Sequence, residues 1–171
     1  MVISIISNSK PKKVLLKFTR LQGLFNYYIF NEDSAGYIRT FEENSDTISK
    51  FWDFDLSAKA NIIIYFVQYF EFKNDFQNAV DYCDLLVYLN EKACWGDVSL
   101  ELPEEAFKAL SLDYAFFFCK LGRWEEAEKY FREAEKMLAD NNISHVKKQI
   151  ETVRNMLDEA NNTQRKSDTN D

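Results

Sequence analysis

Residues 111–140 constrain the fold of this chain more than any other stretch. Their apolar side chains recur every three or four positions in two runs, which is the period of an amphipathic helix. The first run includes Tyr114 and Phe118, the second begins at Trp124, and Gly122 separates the two. The stretch therefore predicts two antiparallel helices joined by a short turn, that is, a helical hairpin.

The residues at the expected crossing of these two helices follow the pattern of the tetratricopeptide repeat. A small residue on the first helix precedes a glycine at the turn, and large residues then alternate with alanine. The matching positions are Ala115, Gly122, Trp124, Ala127, Phe131 and Ala134. The chain resembles this family here, but it has Ala139 where the family has a proline. The resemblance implies stacked hairpins that bind a peptide or protein partner.

A second, degenerate copy of the pattern lies in residues 57–91. The residues Asn74, Phe76, Ala79, Cys83 and Leu86 take the places of Gly122, Trp124, Ala127, Phe131 and Ala134. Asparagine suits the turn because it tolerates the left-handed conformation that ends many helices. The copies lie 48 residues apart (Ala79 to Ala127), whereas the family period is about 34. We therefore expect an insertion, and place it at residues 92–104.

Few helix breakers accompany these patterns, since the 171 residues include only 4 glycines and 2 prolines. Hydrophobic residues make up 46% and aromatic residues 16% of the chain, which is enough for a packed core. We predict one all-α domain over residues 1–160, a short α-α superhelix of about seven helices arranged as antiparallel hairpins.

The remaining boundaries follow from caps and apolar stripes. N-terminal helices are expected over residues 8–56, as an end cap or a further repeat, with Ser34 and Ser57 as N-caps and a break near Asn44. The two TPR-like hairpins occupy residues 57–91 and 105–140. A helix over 144–160 has one apolar face and one charged face, as in the last helix of a solenoid. Residues 161–171 are polar and are expected to be a disordered tail.

The charge balance bears on the partner. The chain has 28 acidic and 21 basic residues, a net charge of −7. An acidic surface repels phosphate backbones, so nucleic acid is not an expected ligand and a basic protein or peptide is easier to accommodate. No run reaches the roughly 18 apolar residues of a membrane span, so no membrane association is predicted.

Cysteine and histidine usage offers little chemistry. Cys83, Cys94 and Cys119 are odd in number and lack metal-binding spacing, which favours reduced thiols and a cytoplasmic location. His145 is the only histidine, so it can build neither a metal cluster nor a catalytic triad alone. We predict no catalytic residue, no metal and no cofactor.

The family resemblance also implies a binding groove, because first helices of successive repeats line its concave side. The residues it places there are Asn61, Ile64, Gln68, Glu71, Leu112, Phe116, Cys119 and Lys120. Each of them has packing against the N-terminal helices as its alternative. Trp95, in the insertion, is either a further contact residue or part of the hairpin core.

These observations predict a non-catalytic protein–protein interaction module that binds its partner through a helical groove. The alternative is a small inhibitor, such as a bacterial immunity protein that neutralises a toxin, because the chain is short and acidic. A helical enzyme with an active site in the groove is a third hypothesis. The sequence leaves the oligomeric state open.

Overall fold

The structure is a computed structural model that describes residues 9–51, 56–93, 104–138 and 144–168. Eight helices account for nearly all of these residues, and no strand occurs among them. The helices are α1 (Ser9–Phe30), α2 (Ser34–Glu43), α3 (Ser45–Phe51), α4 (Leu56–Phe72), α5 (Phe76–Ala93), α6 (Glu104–Lys120), α7 (Trp124–Leu138) and α8 (Ser144–Asp168). The predicted all-α class is confirmed.

The chain divides into two compact units, Met1–Leu100 and Glu101–Asp171. The N-terminal unit contains α1 to α5, and the C-terminal unit contains α6 to α8. The boundary falls inside the predicted insertion, of which residues 94–103 lie outside the described part of the chain.

Three helix pairs are joined by the same turn. The second residue after each first helix adopts a left-handed conformation, with φ of 54° at Glu32, 56° at Asn74 and 71° at Gly122. In each turn this residue donates its N–H to the carbonyl three positions back, and the next residue donates to the carbonyl five back, at 2.9–3.1 Å. This is the Schellman pattern, which satisfies carbonyls that the helix end leaves unpaired. The predicted equivalence of Asn74 and Gly122 is confirmed.

The turn between α1 and α2 corrects the predicted cap. The N-cap of α2 is Asp33, whose Oδ1 accepts the N–H of Gly36 at 2.8 Å, and not Ser34, which is the first helical residue. The prediction of Ser57 as the cap of α4 is also wrong, because α4 already begins at Leu56.

The described residues form eight helices where about seven were predicted, because a break at Asn44 separates α2 from α3. The Asn44 side chain donates to the carbonyl of Thr40 at 2.8 Å, and the backbone carbonyl of Asn44 accepts the N–H groups of Thr47 and Ile48. The side chain of Asn44 thus bonds back to the end of one helix, and its backbone carbonyl begins the next. The expected interruption near Asn44 is confirmed, and it separates α2 from α3.

An aromatic core holds the N-terminal unit together. Its buried members are Phe18, Leu21, Phe25, Tyr37, Phe41, Ile48 and Ile62. Phe41 stacks on Tyr69 of α4 at a centroid distance of 4.3 Å, and the Tyr37 hydroxyl donates to the carbonyl of Tyr65 at 2.9 Å. These contacts place the α1–α2 pair against α4.

Small residues allow the close hairpin of the C-terminal unit. Ala115 of α6 and both Ala127 and Ala134 of α7 are fully buried, as the repeat pattern predicts for a close crossing. Tyr130 of α7 stacks on Tyr114 of α6 at 4.7 Å. The third helix, α8, buries Val153 and Leu157.

Helix α8 runs further than the sequence indicates. It begins at Ser144 as predicted but continues to Asp168, so residues 161–168 are helical where a disordered tail was expected. Asn161, Asn162 and Thr163 are exposed, and polar residues of this kind cost a solvated helix only a few tenths of a kcal/mol each. Polarity therefore did not mark the helix end.

Candidate functional site

Four residues predicted to line a groove lie along one side of α4. Asn61 is exposed, Ile64 is 44% exposed, and Gln68 and Glu71 are half-buried. Their spacing of three and four residues keeps them on one helical face. Gln68 Nε2 donates to Glu71 Oε2 at 2.8 Å, so these two side chains form a polar pair.

The face is narrow because apolar packing borders it on both sides. Tyr65 contacts Phe18 and Phe25 of α1 on one side, at centroid distances of 6.2 and 5.1 Å. On the other side, Val67 is buried. The strip between them stays accessible in the N-terminal unit.

The shared turn identifies a corresponding strip on α1 that the sequence interpretation missed. The four α4 residues precede the left-handed Asn74 by thirteen, ten, six and three positions. Counting back equally from Glu32 gives Thr19, Gln22, Asn26 and Ile29. The signal was available only once Glu32 was known to occupy the turn position, and a glutamate there gives no such indication.

Tyr65 connects the two strips. It packs against Phe25, and the side chain of Gln22 hydrogen-bonds to it. We call the combined surface the amide face, because four of its eight residues carry carboxamides. Its members are Thr19, Gln22, Asn26, Ile29, Asn61, Ile64, Gln68 and Glu71.

Glu71 supplies the only formal charge of the amide face. Burial, then the neighbouring Tyr65 and last the negative charge of Glu71 raise the pKa of Tyr37 far above its ordinary value. Tyr37 therefore stays a neutral hydrogen-bond donor. The amide face carries a single acidic residue, Glu71, at one end. Such a site favours a basic group on a bound partner.

A charged cluster ties α2 to the last turn of α4. Glu42 accepts hydrogen bonds from Tyr69 at 2.8 Å and from Lys73 at 3.2 Å. These bonds lower the pKa of Glu42, and the bonds that Lys73 donates to the Tyr69 hydroxyl and to Glu42 raise the pKa of Lys73. The cluster is exposed, so it contributes little to stability.

An apolar pocket of about 380 Å³ also lies in the N-terminal unit. It is lined by Ile48, Ser49, Ile62, Phe66, Tyr82 and Leu85. Phe66 and Tyr82 stack with a centroid distance of 4.7 Å, which gives the pocket a flat aromatic wall. A pocket of this size and composition can take an apolar side chain or a small ring.

The other predicted groove residues lie on α6 in the C-terminal unit. Leu112 is 1% exposed and Cys119 is 3% exposed, so both are core residues and the prediction that they line an open groove is wrong. They occupy the inner side of α6. Phe116 is half-buried, and Lys120 lies over its ring with Nζ 5.3 Å from the centroid.

Asp113 is the acidic group that burial perturbs in the C-terminal unit. It accepts a hydrogen bond from Gln149 Nε2 of α8 at 3.0 Å. Burial raises the pKa of its carboxyl to about 6, although the bond to Gln149 acts in the opposite direction.

The described residues offer neither a metal-binding cluster nor a reactive thiol. Within residues 9–51, 56–93, 104–138 and 144–168, no group of three or more His, Cys, Asp or Glu could hold a metal ion. Cys83 and Cys119 are buried free thiols, and burial raises the pKa of Cys119 to about 11. Such a thiol stays protonated and unreactive at neutral pH.

The side chains of Trp95 and His145 lie outside the part of the chain that the structure describes. Trp95 lies in residues 94–103. No helix in the described part of the chain is long and apolar enough to cross a bilayer.

Comparisons with protein-family models, with curated proteins and with solved structures gave no match for this chain.

Proposed function

We propose that this protein is a TPR-like binding module that holds an extended segment of a partner protein on its amide face. The supporting observation is that Tyr65 of α4 joins two strips that lie at matching distances from turns of the same geometry, and that these strips together present four carboxamides. Helical repeats use first-helix positions of this kind to build one continuous surface. The proposed activity is binding without catalysis.

The chemistry of the amide face suits a peptide backbone. A carboxamide both donates and accepts hydrogen bonds, as each peptide unit does. Asn26, Gln68 and their neighbours can therefore pair with main-chain groups whatever the partner's side chains are. The α4 strip from Asn61 to Glu71 is about 15 Å long, which matches about four to five extended residues.

Apolar and charged members of the face add selectivity. Ile29 and Ile64 are exposed and offer contact to apolar side chains of the segment. Glu71 favours a lysine or arginine at one end. We expect a segment of alternating apolar residues with a basic residue near one terminus, and an affinity that falls as salt is added.

The test begins with capture of the partner from a native lysate on immobilised protein. The bound segment is then made as a synthetic peptide and titrated by calorimetry. The double substitution Asn26→Ala, Gln68→Ala should weaken binding by about 1–2 kcal/mol, the scale of an ordinary interface anchor. Gln77→Ala is the matched control, because Gln77 is an exposed glutamine on α5 that bonds only Asp81 among the described contacts, at 2.9 Å.

Two results would place the site elsewhere. If the double variant binds as tightly as the wild type, the amide face does not carry the interaction. If Trp95→Ala abolishes binding while the double variant retains it, the partner docks on the 94–103 segment instead.

A further inference from the structure

Helix α1 has a second accessible side, distinct from the amide face. Its members at spacings of three and four residues are Leu16, Arg20, Gly23, Tyr27 and Phe30, and Leu24 lies beside Gly23. Phe30 is 87% exposed and Tyr27 is 60% exposed, and Leu16 and Leu24 are also exposed. We call this the outer α1 face. Contiguous exposed apolar residues on a folded domain usually mark an interaction surface.

The same positions of α4 show what such a face does in this fold. Counted back from the left-handed turn residues, Leu24, Tyr27 and Phe30 correspond to Phe66, Tyr69 and Phe72. In α4 these three rings pack on the α1–α2 pair. Phe66 and Tyr69 contact Phe41 at 4.8 and 4.3 Å, and Phe72 contacts Tyr37 at 5.1 Å. The outer α1 face thus has the composition of a hairpin-stacking surface.

We propose that a second copy of this chain covers the outer α1 face, with the two α1 helices antiparallel and crossing at Gly23. The inference concerns self-association and goes beyond the proposed peptide binding, which uses a different side of α1. A two-fold interface needs a patch that is complementary to itself. Leu16 and Phe30 each lie seven residues from Gly23, so in an antiparallel pair Leu16 of one copy meets Phe30 of the other.

Gly23 suits the crossing point. A Cβ built on it would have no atom within 4 Å, so the helix surface there is low and open. A glycine at a crossing lets two helix backbones approach closely, as small residues do at other tight helix contacts. It otherwise weakens the helix, so its place at the centre of an apolar side is consistent with a contact.

The charge distribution of the chain favours a second copy of itself as the partner on the outer α1 face, rather than a partner that is only acidic or only basic. Residues 1–31 contain five basic residues and no acidic one, whereas the rest of the chain carries a net charge of −12. The turn that follows α1 holds Glu32 and Asp33. An antiparallel pair sets the basic first half of each α1 beside the acidic turn of the other. Arg20 of one copy then lies near the ring of Tyr27 of the other, a cation–π geometry.

The first test measures self-association of the full chain by sedimentation velocity, from low-micromolar to several hundred micromolar protein. We expect a monomer–dimer equilibrium whose dissociation constant rises with salt. Phe30→Glu should raise that constant at least tenfold, because it sets a carboxylate opposite Leu16. Tyr88→Glu is the matched control, since Tyr88 is 53% exposed but lies on α5.

The second test reads the orientation from disulfide cross-linking in a Cys94→Ser background. Gly23→Cys should cross-link with itself, and Leu16→Cys should cross-link with Phe30→Cys when the two proteins are mixed. Neither terminal variant should cross-link with itself, because these positions are about 21 Å apart along an antiparallel pair. The native Cys83 and Cys119 are buried and do not compete.

Three outcomes would overturn the proposal. A chain that stays monomeric over the whole concentration range has no such interface. A dimer that Phe30→Glu and Tyr88→Glu leave equally stable forms through another surface. Self-cross-linking of Leu16→Cys without the mixed product would show a parallel pair. Loss of the dimer with peptide binding intact, or the reverse, separates this proposal from the proposed function.

Discussion

Asp113 shows how one half-buried carboxyl makes stability depend on pH. Its pKa is raised to about 6 in the folded protein, against 3.8 when exposed. The folded state therefore holds this proton more tightly, so the contribution of Asp113 to stability is fully present below about pH 4 and is lost as pH rises through about 6. At neutral pH the ionised carboxylate is an unfavourable group in the C-terminal unit.

We predict that Asp113→Asn stabilises the protein at pH 7 but changes little at pH 4. The amide keeps an oxygen for Gln149 and removes the half-buried charge, so the gain should be about 1–3 kcal/mol. Urea unfolding of the wild type and the variant gives the free energy of unfolding of each protein at pH 4 and pH 7. The difference between the two proteins at each pH separates the effect of Asp113 from that of the other acids. A difference that does not vary with pH would contradict the raised pKa.

Gly36 gives a second prediction at the residue scale. A Cβ at this position would lie 2.5 Å from Asp33 Oδ2 and 2.6 Å from Tyr28 Cε1, both too close. Gly36→Ala must displace the capping carboxylate or the tyrosine ring, and we expect a loss of about 1–3 kcal/mol. Gly23→Ala is the control, since it meets nothing and should gain about 0.5–1 kcal/mol in mid-helix. Denaturant unfolding of monomeric protein measures both, and equal shifts would show that Gly36 is not crowded.

The three turns provide a prediction at the scale of elements. Glu32, Asn74 and Gly122 share one left-handed conformation but differ in how well the residue tolerates it. Glu32→Gly should stabilise by about 1 kcal/mol, Asn74→Gly by less, and Gly122→Ala should destabilise by about 1 kcal/mol. Thermal melts of the three variants check this order. A Glu32→Gly variant less stable than the wild type would mean that the glutamate side chain itself supports the turn.

The helical elements and the close crossings could be predicted from the sequence because their signals are local. Periodicity located α6 and α7, and Ala127 marked a crossing that is indeed fully buried. The sequence placed a helix start at Ser34 but did not mark Glu32 as the left-handed residue of the turn before it, since a glutamate is neither the glycine nor the asparagine that usually signals such a residue.

The candidate site was less accessible to sequence reasoning. The α4 strip followed from the family resemblance, whereas Gln22 and Asn26 required the turn geometry. Leu112 was misplaced because a residue on a first helix can face inward or outward, and its neighbours in sequence do not decide between the two. Burial depends on packing between helices distant in sequence, which periodicity alone does not fix.

At the scale of the whole molecule, the two units each have their own apolar core. Ala79 of α5 and Ala127 of α7 hold equivalent places after their turns, and both are fully buried. A glutamate at either position buries an unpaired carboxylate, which costs several kcal/mol, a large share of the stability of a domain. Substitutions at these two equivalent positions therefore disrupt one core at a time and allow each unit to be tested separately.

We predict that Ala127→Glu unfolds α6 to α8 while α1 to α5 keep their slow amide exchange, and that Ala79→Glu does the reverse. Each substitution removes one core, and the other core retains its buried residues, such as Phe25 and Tyr37 in the N-terminal unit. Hydrogen exchange read residue by residue distinguishes the units, because amides in an unfolded unit exchange at unprotected rates. Exposed Ala35→Glu on α2 is the control and should leave both protected. If either core substitution removes protection from the whole chain, the two units fold as one cooperative structure, and the predicted single domain describes the protein better than its division into two cores.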